Sequence, residues 1–229
     1  IYGRNAVREA LGAGRRRIGR IWAAPQAAKE PWLADRQVEV VGPAEVAELS
    51  GSPDHQGVCA EAGPYPYSDA DDLLAAADAL VVVLDQVQDP RNLGAVVRVA
   101  ETVGASGVAI PDRRSAEVTP AACKASAGAV EHLPVAQVGN VADFLGRAKA
   151  QEAWVYGAAA GAPVAYDEPD YGGRVVLVLG SEGRGLRPRV AGACDQLIAL
   201  PVLGRVGSLN VASAAAALLY EILQSRRRG

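Results

Sequence analysis

Only two histidines, His55 and His132, and three cysteines, Cys59, Cys123 and Cys194, occur in this chain of 229 residues. No CxxC or HxxxH spacing exists, which argues against a structural zinc. Three widely separated thiols do not make a disulfide framework; they read as small buried apolar residues in a reducing cytoplasm. Aromatics supply 5 % of the chain, and Ala, Val and Leu dominate instead, as α/β packing requires. No apolar run reaches the roughly 20 residues of a membrane span, and Ile1-Tyr2-Gly3-Arg4 carries no signal-peptide pattern, so no membrane partner is expected. The absence of GxGxxG argues against a dinucleotide-dependent oxidoreductase, and that of GK[ST] against a Walker loop. The net charge of −3 leaves nucleic-acid binding to local patches. Arg15-Arg16-Arg17 with Arg20, and Arg226-Arg227-Arg228, are the two candidates; each reads equally as solvated surface.

Residues 1–63 read as a small α/β unit. A helix is expected over 5–11 and a second, opened by Pro43, over 43–49. Strands are expected over 18–23, 38–41 and 58–62, the last following the turn Asp54-His55-Gln56-Gly57. Gly63-Pro64-Tyr65-Pro66-Tyr67 then favours extended backbone, and residues 64–78 read as linker and lead-in. Its tyrosines can pack on a neighbouring unit or stack on a nucleobase. From 79 to 229 apolar strands (79–84, 107–111, 133–138, 153–158, 175–179, 196–200) alternate with helices, among them 92–103 and 209–225. The fold class expected is α/β: a largely parallel sheet covered on both faces, with ligands outside the carboxyl ends of its strands.

Three strand ends carry polar chemistry. Leu84-Asp85-Gln86 leads into a helix that bears Asn92, Gly94 and Arg98. Asn92 can be an N-cap, Arg98 can turn back toward the same rim, and Gly94 suits a close approach to the backbone. Gly180-Ser181-Glu182-Gly183 is a glycine-rich loop holding one acid; Glu182 would repel a phosphate, so a neutral or cationic ligand fits better. In Leu200-Pro201-Val202-Leu203-Gly204-Arg205-Val206-Gly207-Ser208-Leu209-Asn210, one of the two polar residues, Ser208 or Asn210, can cap the following helix while the other faces the loop's concavity.

Taken in order, these three stretches resemble the sequence motifs of the SpoU family of RNA 2′-O-ribose methyltransferases. Residues Ser126-Ala127-Gly128-Ala129-Val130-Glu131-His132-Leu133-Pro134-Val135 resemble the subgroup that methylates a guanosine of large-subunit ribosomal RNA, and Tyr2-Gly3-Arg4-Asn5 and His55-Gln56-Gly57-Val58 resemble that subgroup's RNA-binding domain. The resemblance implies a C-terminal trefoil knot, S-adenosyl-L-methionine as methyl donor with no metal, RNA rather than DNA as substrate, and a homodimer formed through the catalytic domain in the cytoplasm. It implies a catalytic set of Asn92, Arg98, Glu182, Ser208 and Asn210. The methyl-donor pocket would use Gly180, Ser181, Gly183, Ile198, Leu200, Leu209 and Ala158, and RNA contacts would come from Arg4, Asn5, Arg15, Arg16, Arg17, His55 and Gln56. Gly204 and Gly207 would let the backbone thread and grip. A transfer-RNA methylase, a resistance enzyme acting at another ribosomal site, and a non-catalytic RNA-binding dimer are the alternatives.

Overall fold

The computed structural model describes residues 1–228. Its N-terminal unit opens with α1 (Arg4–Ala13), which buries Ala6, Val7 and Ala10. The helix stops at Gly14, whose left-handed φ of 62° lets its N–H reach Ala10 O without the Cβ penalty any other residue would meet. Strands β1 (Ile18–Ala23), β2 (Val38–Val40) and β3 (Val58–Ala62) form a sheet in the order β2-β1-β3, with β1–β2 parallel and β1–β3 antiparallel. Helix α2 (Pro43–Ser50), with proline in its first turn, packs Val46 beneath the sheet.

Among the described residues the C-terminal unit holds seven strands: β4 (Leu80–Asp85), β5 (Gly107–Pro111), β6 (Val135–Val138), β7 (Trp154–Ala158), β8 (Val164–Ala165), β9 (Val175–Gly180) and β10 (Gln196–Ala199). They lie in the order β6-β5-β4-β9-β7-β10-β8, and each pairing is parallel. Among the described residues five α-helices accompany them: α3 (Pro90–Thr102), α4 (Pro120–Ala125), α5 (Val141–Ala150), α6 (Pro188–Ala191) and α7 (Val211–Arg228). Alternate residues of β4 feed two cores. Leu80, Val82 and Leu84 join a cluster with α3 and α7, whereas Val81 and Val83 pack with α5. Burial on both faces explains why the strand is apolar without alternation. The two-residue β8 was too short to leave a pattern.

Local chemistry moves two helix starts. Asp89 caps α3, its Oδ1 accepting from Arg91 N at 2.8 Å, so Asn92 is not the cap and its side chain is left for partners outside the helix. Helix α7 begins at Val211 rather than at residue 209. The close approach at Gly94 is made by α4: a Cβ there would lie 2.5 Å from Ala122 O and 2.7 Å from Ala125 Cβ.

The segment between the two sheets is pinned down. Tyr65 Oη donates to Val130 O (2.8 Å), Val118 N donates to Tyr67 Oη (2.9 Å), and Ser68 N donates to Val135 O (2.9 Å). The tyrosines therefore serve packing. Arg15 and Arg16 of the neighbouring arginine run serve it too, which turns Arg16 away from the RNA contact expected of it. The Arg16 side chain is buried against Glu131, and its Nη2 reaches Cys123 Sγ at 3.3 Å. Arg15 Nη2 donates to Pro66 O at 3.4 Å, and both guanidinium groups lie over the Tyr65 ring. Arg17 alone of the three is exposed. At the other end of the chain Arg226 donates to Asp78 O and Gly173 O, both at 2.7 Å. That basic run is in part a clasp for α7.

Candidate active site

Three loops at the carboxyl edge of the parallel sheet converge. Along β4 and β9 the register ends with Asp85 opposite Gly180, which places the start of α3 beside the glycine loop. That loop closes on itself through Gly185 N to Ser181 O (2.9 Å) and Ser181 N to Gly185 O (3.2 Å). Gly180 is required by this closure, because a Cβ there would overlap the backbone of Gly185 and Leu186. The close approach at this glycine is thus made by its own chain. At Gly204 and Gly207 a Cβ would meet nothing within 4 Å, so the fold of this chain does not demand glycine at either.

Glu182, at the tip of the closed loop, meets the two asparagines. Its Oε1 accepts from Asn92 Nδ2 at 2.9 Å and from Asn210 Nδ2 at 2.5 Å, while Asn210 Nδ2 also reaches Asn92 Oδ1 at 3.0 Å. Asn210 also caps α7, its Oδ1 accepting from Ala212 N at 2.8 Å and from Ser213 N at 3.4 Å. One amide therefore performs both roles that the sequence divides between Ser208 and Asn210. Glu182 Oε2 has no hydrogen-bond partner among the described residues, and it stands at an exposed mouth, open to an incoming group.

Behind the mouth lies a cavity of about 550 Å³, a size suited to a small organic ligand. Ala158, Leu179, Ile198, Leu200 and Leu218 supply apolar wall; Gly180, Ser181 and Gly183 supply loop backbone; Ser208 and Leu209 close the outer side. All the residues expected to hold the methyl donor line this one space. Ala159, Ala160 and Ala214 line it as well; small residues in apolar surroundings gave no sign of that in the sequence.

Arg98 does not join the group. It lines a separate concavity with Glu9, Ser126 and His132, between the two units. Helix geometry explains the separation: six residues after Asn92 the chain has advanced about 9 Å and turned to a direction about 120° away. Of the expected RNA contacts, Arg4 and Gln56 are brought together, with His55 in the same turn. Arg4 pairs with Glu30 at 2.7 Å and its Nε donates to Gln56 O at 3.3 Å; Gln56 Oε1 accepts from Arg4 N at 3.1 Å; His55 Nδ1 accepts from Gly57 N at 2.9 Å. These bonds shape the turn before β3 and tie it to α1. Asn5 is exposed.

This arrangement, a parallel sheet with three loops folded over a pocket, has solved counterparts. An S-adenosyl-L-methionine-bound rRNA methyltransferase from Sinorhizobium meliloti is 28 % identical and superposes with a TM-score of 0.82, covering 100 % of this chain and 86 % of that one. The SpoU methyltransferase AviRb from Streptomyces viridochromogenes, at 24 % identity, shares the fold with a TM-score of 0.85 over 100 % of this chain and 90 % of its own. The model of the SpoU rRNA methylase family matches residues 79–220, and that of the RNA 2′-O ribose methyltransferase substrate-binding family matches residues 1–68. This chain is a SpoU-family RNA methyltransferase. Among its relatives in the family, YacO of Bacillus subtilis, named as a TrmH family tRNA/rRNA methyltransferase, is 38 % identical over 99 % of this chain and 95 % of its own length. A Mycobacterium tuberculosis protein named as a tRNA/rRNA methyltransferase is 39 % identical over 100 % of this chain and 74 % of its own.

The cofactor of this SpoU enzyme is S-adenosyl-L-methionine, and the pocket suits it chemically. Apolar walls accept an adenine, backbone edges can bond its polar rim, and the one carboxylate at the mouth is compatible with a cation where it would repel a phosphate. Among the described residues no group of three or more His, Cys, Asp or Glu is placed to hold a metal ion, and no helix is long and apolar enough to cross a membrane.

Proposed function

We propose that the enzyme methylates a ribose 2′-hydroxyl, that of a guanosine in large-subunit ribosomal RNA, acting as a cytoplasmic homodimer. The observation that carries this reading is the closed triangle of Asn92, Glu182 and Asn210 at the mouth of the apolar cavity. The bound sulfonium supplies an electrophilic methyl group. The protein must hold the ribose in line with it, and positioning of that kind lowers a barrier by several kcal/mol, on the order of 7–11 in favourable cases. The two asparagines fix Glu182 so that its open Oε2 faces the incoming ribose and can take the hydroxyl proton, unless a substrate phosphate does so. Ser208 lines the same side of the cavity and is placed to orient the hydroxyl. A 2′-hydroxyl acceptor makes the substrate RNA and not DNA.

Arg98 is unsuited to act as a base, because a guanidinium stays charged. Its part is to stabilise the developing alkoxide and to grip a neighbouring phosphate. Since Arg98 lies outside the pocket of its own chain, it serves the pocket of a second copy across the interface of the proposed homodimer. Mixed dimers test this. Combining Arg98→Ala with Asn210→Ala chains regenerates one intact site per mixed dimer if Arg98 acts across the interface. No recovery beyond the two parents means that it does not.

The ribosomal substrate is supported by the Ser126 to Val135 stretch and by the 28 % identity to an rRNA methyltransferase. Transfer of a tritiated methyl group to ribosomal RNA fragments, followed by nuclease mapping, should place the label on one guanosine ribose. Label on transfer RNA only, or on a base, would refute the reading.

A further inference from the structure

Asp85 ends β4 with 0 % exposure, a carboxylate sealed beneath the loops of the site. Its partner is Arg187, the residue that immediately follows the glycine loop and precedes α6. Asp85 Oδ2 accepts from Arg187 N at 2.9 Å; Asp85 Oδ1 accepts from Arg187 Nε at 2.7 Å and lies 2.7 Å from Arg187 Nη2. Three contacts to one residue, with the backbone N–H on one oxygen and Nε and Nη2 both converging on the other, satisfy a group that would otherwise be costly to bury.

Position gives the pair its meaning. The loop enters at Gly180, which is bonded in register beside Asp85, and it leaves at Arg187, whose backbone and side chain are both held by Asp85. One residue therefore meets both ends of the turn that carries Glu182: the Asp85 backbone lies in register with Gly180, and its buried carboxylate holds Arg187. Between those ends the Ser181–Gly185 bridge leaves the turn little freedom. The arginine is 44 % exposed along its side chain, so a hydrophobic core does not hold it in place; the carboxylate does.

We infer that Asp85 and Arg187 are positioning residues for the methyl-donor pocket: the pair clamps the 180–186 loop in the shape that lines the cavity and aims Glu182 at Asn92 and Asn210. This rests on the cavity being the S-adenosyl-L-methionine site. A loop already held in its bound shape binds with less entropy loss, so loosening the clamp weakens the cofactor even though neither residue needs to touch it.

The test is calorimetric titration of S-adenosyl-L-methionine into the full chain as wild type, Asp85→Asn and Arg187→Lys, with amide hydrogen exchange over 181–187. Asparagine keeps the shape and one acceptor but loses the charge; lysine keeps the charge but not the fork. The expected result is a dissociation constant raised about tenfold by Asp85→Asn and several-fold by Arg187→Lys, with faster exchange confined to the loop. A pair that merely supports the fold would lower the melting temperature and leave the constant of the folded protein within twofold of wild type; that result overturns the inference. Should Asp85→Asn fail to fold, Arg187→Lys decides alone, because the Arg187 backbone bond to Asp85 survives in it. An Ala158→Phe variant fills the cavity wall in the same titration. Undiminished binding by that variant would remove the pocket assignment and the inference with it, whereas lost binding there beside unchanged binding in both clamp variants would remove the clamp only.

Discussion

Arg16 and Glu131 join the two units of the chain through an ion pair whose side chains are 6 % and 1 % exposed. Burial alone would lower the Arg16 pKa, yet the hydrogen bond from Arg16 to Glu131 and the neighbouring acidic groups raise it above its usual value. The charge is kept by its partner.

Removing either member should therefore be severe. Arg16→Met or Glu131→Leu is expected to cost about 3–5 kcal/mol, the range for stranding one buried charge. The double change Arg16→Met with Glu131→Leu should recover most of it, because an apolar pair of similar volume needs no hydration. Urea unfolding of the three variants checks this; a double variant as unstable as the sum of the singles would contradict it.

Asn210 allows capping to be separated from catalysis. Asn210→Asp keeps an oxygen for Ala212 N and Ser213 N at the positive end of the α7 dipole, so stability should hold within about 1 kcal/mol. It also replaces the donor to Glu182 with a second carboxylate. Methyl transfer should fall on the order of a hundredfold, the scale seen when one aligned donor is lost from a reacting site. Thermal melting and initial rates, measured side by side, decide the point: parallel losses would mean that the residue is only a cap.

A pH prediction comes from Glu9. Its carboxyl is held below the ordinary 4.5, first by its hydrogen bond with His132 at 2.9 Å and then by Arg8, against an opposing effect of burial. A depressed acid stabilises the fold above its unfolded pKa and loses that contribution as pH falls through the folded value. The stability that Glu9 contributes relative to Glu9→Gln should be present at about pH 5 and shrink as pH falls below 4.5. A difference that persisted unchanged to pH 3 would show that the carboxylate is not the source. The magnitude is expected to be small, since both partners are partly exposed.

Much of the architecture was legible because it depends on patterns longer than one residue. Continuous apolar strands alternating with helices can bury both faces only as a parallel sheet, and the sheet formed in that way. The motif residues around the pocket were legible for a different reason: Gly180, Glu182 and Asn210 sit at strand ends or a helix start, where a sequence shows where the chain must stop. What stayed hidden was direction. Nothing in Arg15-Arg16-Arg17 distinguishes a surface cation from one turned inward, since the choice is made by Glu131, more than a hundred residues away. Asp85 read only as the polar boundary of a strand. Its partner Arg187 lies across a loop whose closure depends on tertiary contacts at Gly180. Arg98 was misplaced on the rim because six residues of helix bring a side chain neither to the same face nor to the opposite one.

The tyrosines between the units, bonded to Val130 and Val118, make the connection behave as a bracket. With Arg15, Arg16 and His132 bonded across the same seam, the distance from the small sheet to the methylating pocket becomes a dimension of the molecule. It acts as a caliper set in advance. An RNA that engages both units at once must match that span.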